Sequence, residues 1–284
     1  MTSGPRPFTY IPKISQRLPK GYIVTVAAAI PCKDGLILCA DTEETITDDQ
    51  KRTASKIHVV VHMTESNKAI QATSRVTDTF ADEPWAWRGD WIVGIAGAGH
   101  SDWIAAFIQG MDESVLNKTF GKRLRLQRLH AFIIQYAEDF FVRYIKNYAD
   151  DPTRRPQANM LIVAQSRTHS AIFRVNDNVV LYNEWGPSSV AVGKGAPAFQ
   201  NLSKHLIDPF TTMKKSVSAA VYVLSRVKAE VPGCGGKSHI VMVGRNGHLQ
   251  SVSAKRVMQL ELHHAEIETK MYKDFAKELL KDIP

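Results

Sequence analysis

The sequence predicts an α+β fold, a four-layer αββα sandwich in which two packed β-sheets are each covered by a pair of helices. Apolar segments with strand and helix periodicity follow one another in the order strands, helix pair, strands, helix pair, strands. The first strands are apolar on both faces, as expected for a sheet that is covered on each side. Both observations point to a protein whose sheets lie in its interior.

The first element is a β-hairpin formed by residues 22 to 30 and 36 to 40. Residues 33 to 35, in the segment that joins them, are Lys-Asp-Gly. They favour a three-residue loop with a left-handed glycine at its last position. This loop length places Cys32 opposite Leu36. It therefore fixes the register of everything that follows on the second strand.

The predicted register places Asp41 opposite Ala27 and on the same face as Thr25, about 7 to 8 Å away along the diagonal. Two such short side chains do not reach each other across that distance. Lys56, ahead of the strand-like residues 57 to 61, is long enough to bridge them. The sequence thus predicts that a hydroxyl, a carboxylate and an ammonium group meet at one place.

The later elements follow from apolar spacing and from turn residues. Helices are predicted at residues 102 to 118, 122 to 148, 196 to 208, 212 to 230 and 264 to 281. Further strands are predicted at residues 91 to 97, 159 to 165, 169 to 175, 179 to 183, 238 to 243 and 248 to 253.

The hairpin segment resembles the N-terminus of a mature proteasome β-subunit, within the N-terminal-nucleophile (Ntn) hydrolases. Thr25, Gly35 and Asp41 match the spacing of that family without a gap, and Lys56 matches if one residue is lost before it. Three later segments resemble its strand-to-helix and helix-to-strand junctions. These segments are GIAGAGHSDW (94 to 103), VAVGKGAPAF (190 to 199) and CGGKSHIVMV (234 to 243).

The resemblance implies threonine-dependent hydrolysis of amide bonds. Thr25 would be the nucleophile, with its own α-amino group as the base once the bond to Val24 has been cleaved. Asp41 would hold Lys56, whose positive charge lowers the proton affinity of the Thr25 hydroxyl. The backbone N–H of Gly97 would bind the oxyanion.

Several positions depart from the family pattern. Lys194 stands where the family has a serine between glycines, Val231 and Cys234 stand where it has an aspartate and a serine, and Val24 replaces a glycine. Lys194 and Cys234 are therefore expected to flank the site. These departures favour an alternative, a non-catalytic proteasome-like subunit or assembly scaffold in which Thr25 is never exposed and only fills a strand position.

The resemblance also predicts the organisation of the chain and its partners. A basic, proline-rich arm or propeptide occupies residues 1 to 21, and one domain occupies residues 22 to 284, with an insertion at about 62 to 90 and an extra C-terminal helix. Proteolytic members of the family stack as rings and depend on unfoldases. We therefore expect self-assembly into rings or another homo-oligomer, a peptide or protein substrate, and an unfoldase partner.

Composition argues against several other function classes. Half of the net charge of +8 comes from four basic residues in the first 24, and no nucleic-acid-binding motif accompanies it, so a nucleic-acid partner is not expected. No apolar run approaches 18 residues, which argues against a membrane protein. The three cysteines are an odd number in apolar or glycine-rich settings, and no secretory signal precedes them, which predicts a cytoplasmic location.

Two further patterns suggest other chemistry without completing it. Cys234 and His239 could form a thiol-imidazole pair, but a small buried thiol at a glycine turn explains Cys234 equally well without a catalytic role. His263 and His264 lack a third ligand at a suitable spacing. We therefore expect neither a metal nor an organic cofactor.

Overall fold

The computed structural model describes residues 25–47, 50–53, 56–62, 74–75, 86–88, 91–111, 125–146, 158–176, 179–184, 188–245 and 247–281. The predicted arm at residues 1 to 21 lies outside these residues, and so does most of the predicted insertion at 62 to 90. Within the described parts, no helix combines the length and the apolar composition that crossing a membrane requires.

Strands and helices follow the predicted order. The strands are β1 (Ala27–Cys32), β2 (Gly35–Asp41), β3 (Glu43–Thr47), β4 (Gln50–Thr53), β5 (Ile57–His62), β6 (Ser74–Arg75), β7 (Ala86–Arg88), β8 (Trp91–Gly99), β9 (Ala158–Ser166), β10 (Ser170–Asn176), β11 (Val179–Glu184), β12 (Val190–Val192), β13 (Ser238–Gly244) and β14 (His248–Ser251). The helices are α1 (Ser101–Gly110), α2 (Leu126–Phe140), α3 (Ala196–Leu206), α4 (Met213–Glu230) and α5 (Ala254–Lys281), and a π-helical turn (Phe141–Ile145) extends α2.

The described strands form two six-stranded antiparallel sheets and one small hairpin. The first sheet has the order β12-β1-β2-β13-β14-β7, and the second has the order β11-β10-β9-β8-β5-β6. The strands β3 and β4 pair only with each other. The described parts of the predicted insertion are β6 and β7, which pair with β5 and β14 at the edges of the two sheets.

Three clusters of buried apolar residues hold these elements together. One lies between the inner faces of the two sheets and includes Ala27, Leu38 and Ile92. A second joins the first sheet to α3, α4 and α5. A third joins the second sheet to α1 and α2. The predicted α+β class is confirmed, and the architecture is consistent with a sandwich.

The hairpin turn is one residue shorter than predicted. Ala27 pairs with Ala40, and the Asp41 N–H donates to the Val26 carbonyl at 3.1 Å. The prediction that Asp41 lies opposite Ala27 is therefore wrong by one position. By strand alternation, Asp41 then shares its face with Val26 rather than with Thr25.

Contacts from distant parts of the chain explain the short turn. Gly35 pairs with Cys32 as the first residue of β2, and a Cβ there would overlap the carbonyl oxygen of Val243 in β13. The side chain of Asp34 accepts a hydrogen bond from the Met213 N–H at 2.7 Å, at the start of α4. Gly35 is thus required by the close approach of a neighbouring strand, not by a left-handed loop position.

Helix α5 begins ten residues earlier than predicted. Its first two turns place Val257 and Leu260 in the cluster shared with the first sheet. The Ser253 hydroxyl accepts a hydrogen bond from the Arg256 N–H at 3.3 Å, which satisfies one of the free donors at the helix start. Serine before an apolar periodic segment is a start signal that the sequence carried and that the prediction missed.

Candidate active site

Asp41 and Lys56 form a buried ion pair that links the first sheet to the second. Asp41 ends β2 in the first sheet, and Lys56 directly precedes β5 in the second. The Lys56 Nζ lies 2.7 Å from the Asp41 Oδ1, and the two residues are 5% and 0% exposed. The Lys56 Nζ also donates to the Glu43 carbonyl at 2.5 Å. The predicted pairing of this carboxylate with this ammonium group is present.

The Asp41 carboxylate accepts two further hydrogen bonds from the backbone. Its Oδ1 accepts from the Val26 N–H at 3.2 Å, and its Oδ2 accepts from the Gly235 N–H at 3.0 Å. Burial raises the pKa of the Asp41 carboxyl, and the Lys56 ammonium together with these two N–H groups opposes that rise. The Asp41 carboxylate therefore binds three separate parts of the chain: Val26 just before β1, Gly235 in the segment before β13, and the Lys56 side chain.

Thr25 lies at the start of the hairpin, one residue before the backbone N–H that Asp41 binds. The residue is 1% exposed, and its Oγ1 has no hydrogen-bond partner among the described residues. The Gly195 N–H donates to the Thr25 carbonyl at 3.3 Å. Gly193 has φ +92°, and a Cβ there would overlap the same carbonyl oxygen. The turn between β12 and α3 therefore closes directly over Thr25.

The backbone N–H of Gly97, the predicted oxyanion donor, is engaged within the second sheet in this structure. It donates to the Lys56 carbonyl at 3.0 Å. The physical reason is that β8 continues to Gly99, so residue 97 lies inside the strand, where it pairs with Met160 of β9 on one side and bonds to Lys56, the residue before β5, on the other. A Cβ at this position would overlap the Ile104 side chain of α1, which explains the glycine as a packing requirement.

Lys194 and Cys234 both lie at the turn that closes over the Thr25 carbonyl. Lys194 is exposed on the turn between Gly193 and Gly195. Cys234 is buried, and a Cβ at Gly195 would lie 3.0 Å from its Sγ. Burial raises the pKa of the Cys234 thiol to about 12, so the thiol is protonated at neutral pH and is a poor nucleophile.

A tether that the sequence did not reveal anchors the segment containing Cys234 and Gly235. The Lys228 Nζ in α4 donates to the Gly236 carbonyl at 3.2 Å, to the Ser238 hydroxyl at 2.9 Å and to the Glu261 carboxylate at 2.7 Å. Local sequence carries no signal for this contact, since Glu261 lies 33 positions along the chain.

Glu43 is a second carboxylate that the sequence analysis missed. Its N–H donates to the Gly235 carbonyl at 3.1 Å, and a Cβ at Gly235 would overlap its carboxylate. Its carbonyl also accepts from Lys56. The sequence signal for this contact was the position of Glu43, because it comes two residues after Asp41, which ends β2.

His239 is a buried imidazole on β13, where it pairs with Ala40. It is 3% exposed. Burial, and to a smaller extent the neighbouring His58, lowers the pKa of His239 from 6.5 to about 4. Among the described residues, no group of three histidine, cysteine or acidic side chains is placed to hold a metal ion.

Acidification should therefore destabilise the fold through His239. The unfolded chain binds a proton on this imidazole near pH 6.5, and the folded chain binds one only near pH 4. The free energy of unfolding is therefore at its full value above pH 6.5 and falls as the pH decreases towards 4. The expected loss between these two values is about 3 kcal/mol. Chemical denaturation at several pH values should show this loss, and it should be absent in His239→Gln. Exposed His205 is the matched control: His205→Gln should keep the wild-type pH dependence, and an unchanged profile in His239→Gln would contradict the assignment.

Comparison with known proteins adds information on the fold. No protein-family model matches the sequence, and no curated protein sequence matches it.

Solved structures do resemble this chain. A Gly-1 mutant of Anbu from Hyphomicrobium sp. strain MC1 superposes with a TM-score of 0.63 at 11% identity, covering 89% of this chain and 99% of that one. Anbu from Yersinia bercovieri, described as an ancestral beta-subunit, gives 0.61 at 9% identity, over 92% and 98% of the two chains. The Anbu complex of Pseudomonas aeruginosa, described as a helical assembly, gives 0.61 at 10% identity, over 88% and 96%. These likenesses show that this chain shares its fold with the Anbu proteins.

Proposed function

We propose that this protein is a threonine-type Ntn hydrolase that cleaves amide bonds in peptides or proteins after the bond between Val24 and Thr25 has been cleaved. The observation that carries the proposal is the Thr25 hydroxyl, which is buried and without a hydrogen-bond partner among the described residues. Burying such a hydroxyl is unfavourable. It lies one residue from the backbone N–H that binds the Asp41–Lys56 pair.

In the proposed reaction, the Thr25 Oγ attacks the substrate carbonyl carbon, and its proton passes to the free α-amino group. The carbon–nitrogen bond then breaks, and the leaving amine takes that proton. Water hydrolyses the resulting ester and regenerates Thr25. The Lys56 ammonium favours the ionised oxygen of Thr25, and Asp41 keeps Lys56 in place. The mechanism assigns no role to the Gly97 N–H, because that donor is engaged.

Several finer expectations belong to the same proposal. The layers follow the order helices, sheet, sheet, helices, which the three apolar clusters support. The chain assembles with copies of itself, as the helical assembly of the Pseudomonas aeruginosa neighbour suggests. Residues 1 to 21 act as a propeptide, and an unfoldase delivers protein substrates to the assembled enzyme. The chemistry requires no metal or organic cofactor.

The first experiment is to determine the intact mass and the N-terminal sequence of the purified protein. We expect a fraction that begins at Thr25, and this fraction should hydrolyse fluorogenic peptide amides. Thr25→Ser should retain part of the activity, since serine keeps the hydroxyl. If every molecule retains residues 1 to 24 and no peptide amide is cleaved, the proposed hydrolase mechanism is wrong.

A second candidate function is a non-catalytic subunit or assembly scaffold with the same fold. Two observations favour it: Thr25 is only 1% exposed, and the Gly97 N–H is not available to an oxyanion. In that case no chain that begins at Thr25 is produced, and the Thr25→Ala variant assembles as the wild-type protein does. The same mass and activity measurements separate the two candidates.

A further inference from the structure

The segment that supplies an N–H to Asp41 is rich in glycine. Residues 231 to 237 join α4 to β13, and three of them are glycines. Gly233 and Gly236 have φ angles of +90° and +70°, which glycine adopts at little cost. Gly235 lies between them, and its N–H donates to the Asp41 Oδ2 at 3.0 Å. A segment with little conformational preference of its own therefore has to be fixed by contacts from outside.

The Lys228 ammonium group supplies such contacts from α4. Its Nζ donates to the Gly236 carbonyl at 3.2 Å and to the Ser238 hydroxyl at 2.9 Å. Its third hydrogen bond goes to the Glu261 Oε1 on α5 at 2.7 Å, and the Ser238 hydroxyl donates to the same oxygen at 2.8 Å. A lysine ammonium has three donors, and all three have an acceptor here. Three acceptors therefore set the position of Nζ, which a single surface ion pair would not do.

Both groups that Lys228 binds are adjacent to the hydrogen bond between Gly235 and Asp41. Gly236 follows Gly235 directly in the chain. Ser238 is the first residue of β13, pairs with Asp41 across the ladder and is 2% exposed. The Lys228 side chain is 14% exposed, so water screens its contacts only in part. Removing these contacts should therefore displace the Gly235 N–H.

We infer that the Lys228–Glu261 pair is a positioning device for the proposed active site. It holds the Gly235 N–H on the Asp41 carboxylate, and Asp41 in turn binds Lys56. The inference rests on the proposed function, since it names residues that serve the same site from two helices outside it. Both residues act through other groups rather than on the substrate.

The electrostatics of Asp41 explain why one N–H matters. Burial raises the pKa of the Asp41 carboxyl, and the Gly235 N–H is among the groups that oppose this rise. Displacing that N–H favours the protonated carboxyl, which attracts an ammonium group less strongly than a carboxylate does. Lys56 would then lose part of the attraction that keeps it in place.

A second ion pair between the same two helices provides a matched control. Arg226 of α4 lies 3.4 Å from Glu268 of α5, with side chains 30% and 26% exposed. The hydrogen bonds of Arg226 go to Glu268 and to Glu230, which both lie on helices. Arg226→Met therefore weakens the contact between α4 and α5 but leaves the bonds of Lys228 to the glycine-rich segment in place.

Steady-state kinetics with a fluorogenic peptide amide test the inference, under conditions in which every variant is folded. In Lys228→Met, kcat should fall at least about tenfold while KM changes less than about twofold. Arg226→Met should keep the wild-type kcat. The double variant Lys228→Met/Glu261→Met leaves no charge unpaired, but Gly236 and Ser238 still lack their donor, so its kcat should stay low. Recovery of kcat in the double variant would overturn the inference, because an unpaired charge alone would then explain the loss.

Hydrogen exchange tests the first step without any need for activity. The amides of residues 235 to 237 should exchange at least about tenfold faster in Lys228→Met than in the wild type. They should exchange at the wild-type rate in Arg226→Met. A peptide from β9 should exchange equally in all three proteins, which controls for a global loss of stability. A wild-type rate at residues 235 to 237 in Lys228→Met would overturn the inference.

Denaturant unfolding tests the second step. In the Asp41→Leu background the Gly235 N–H has already lost its acceptor, so Lys228→Met should lose at most about half as much stability there as in the wild type. Arg226→Met should lose the same amount in both backgrounds. Equal losses from Lys228→Met in both backgrounds would refute the coupling to Asp41. If exchange and coupling behave as expected but no peptide amide is cleaved, the proposed function is wrong while the coupling of Lys228 to Asp41 stands.

Discussion

Replacing Thr25 with valine should abolish amide hydrolysis and, in the same protein, stabilise the fold by about 1 kcal/mol. Valine has nearly the same shape as threonine and replaces the hydroxyl with a methyl group. The Thr25 Oγ1 is buried and has no hydrogen-bond partner among the described residues, so the fold gains when this polar atom is removed. The mechanism loses its nucleophile, and activity should fall by at least about 10³-fold.

Urea denaturation measures the stability change, and a fluorogenic peptide amide measures activity. The stability comparison uses wild-type protein that retains residues 1 to 24, verified by intact mass. Thr25→Ser is the matched control, because it keeps the hydroxyl and loses only a methyl group; it should be less stable than Thr25→Val. If Thr25→Val destabilises the fold by 1 kcal/mol or more, the hydroxyl makes a stabilising contact and its assignment as a buried, unpaired nucleophile is wrong.

Breaking the Asp41–Lys56 pair from one side should have the largest effect on stability. Asp41→Leu leaves an ammonium buried without its carboxylate, and Lys56→Met leaves a carboxylate without its ammonium. Each single variant should lose about 3 to 5 kcal/mol of stability, because an uncompensated buried charge is unfavourable. The double variant should lose clearly less than the sum, since neither charge remains. Denaturant unfolding of all four proteins gives the coupling energy.

A surface pair provides the comparison. Arg226 and Glu230 lie 2.7 Å apart on α4, with side chains 30% and 46% exposed. Glu230→Gln should change stability by less than about 0.5 kcal/mol, because solvent screens exposed pairs. If the effects of Asp41→Leu and Lys56→Met simply add in the double variant, the pair is not a coupled unit and Asp41 cannot be described as holding Lys56.

The order and class of the elements could be predicted because they depend on local patterns. Strands that are apolar on both faces, and helices with apolar residues at a spacing of three and four, identify themselves wherever they pack. The ion pair could also be predicted, since Asp41 ends one strand and Lys56 directly precedes another. Only long-range contacts decided the hairpin turn: Gly35 is required by Val243, which is more than 200 positions away.

The hydrogen bond of the Gly97 N–H also depends on a contact outside its own segment. A glycine near a strand-to-helix junction suggests a free N–H, but whether that N–H is free depends on how far the neighbouring strand continues. Here the Lys56 carbonyl, outside the segment that contains Gly97, accepts its hydrogen bond. The support at Lys228 was likewise invisible, because its carboxylate partner, Glu261, lies 33 positions along the chain.

By itself, the sequence determined that this chain forms two sheets with helices and that Asp41 and Lys56 are close to the start of β1. Hydrophobic periodicity and the ends of strands are local properties, and they are written in consecutive residues. Only the tertiary structure decided that the Thr25 hydroxyl is buried without a hydrogen-bond partner among the described residues and that the Gly97 N–H is engaged. Each of these depends on which distant backbone atoms come within 3 or 4 Å, and burial and hydrogen bonding are properties of the packed chain.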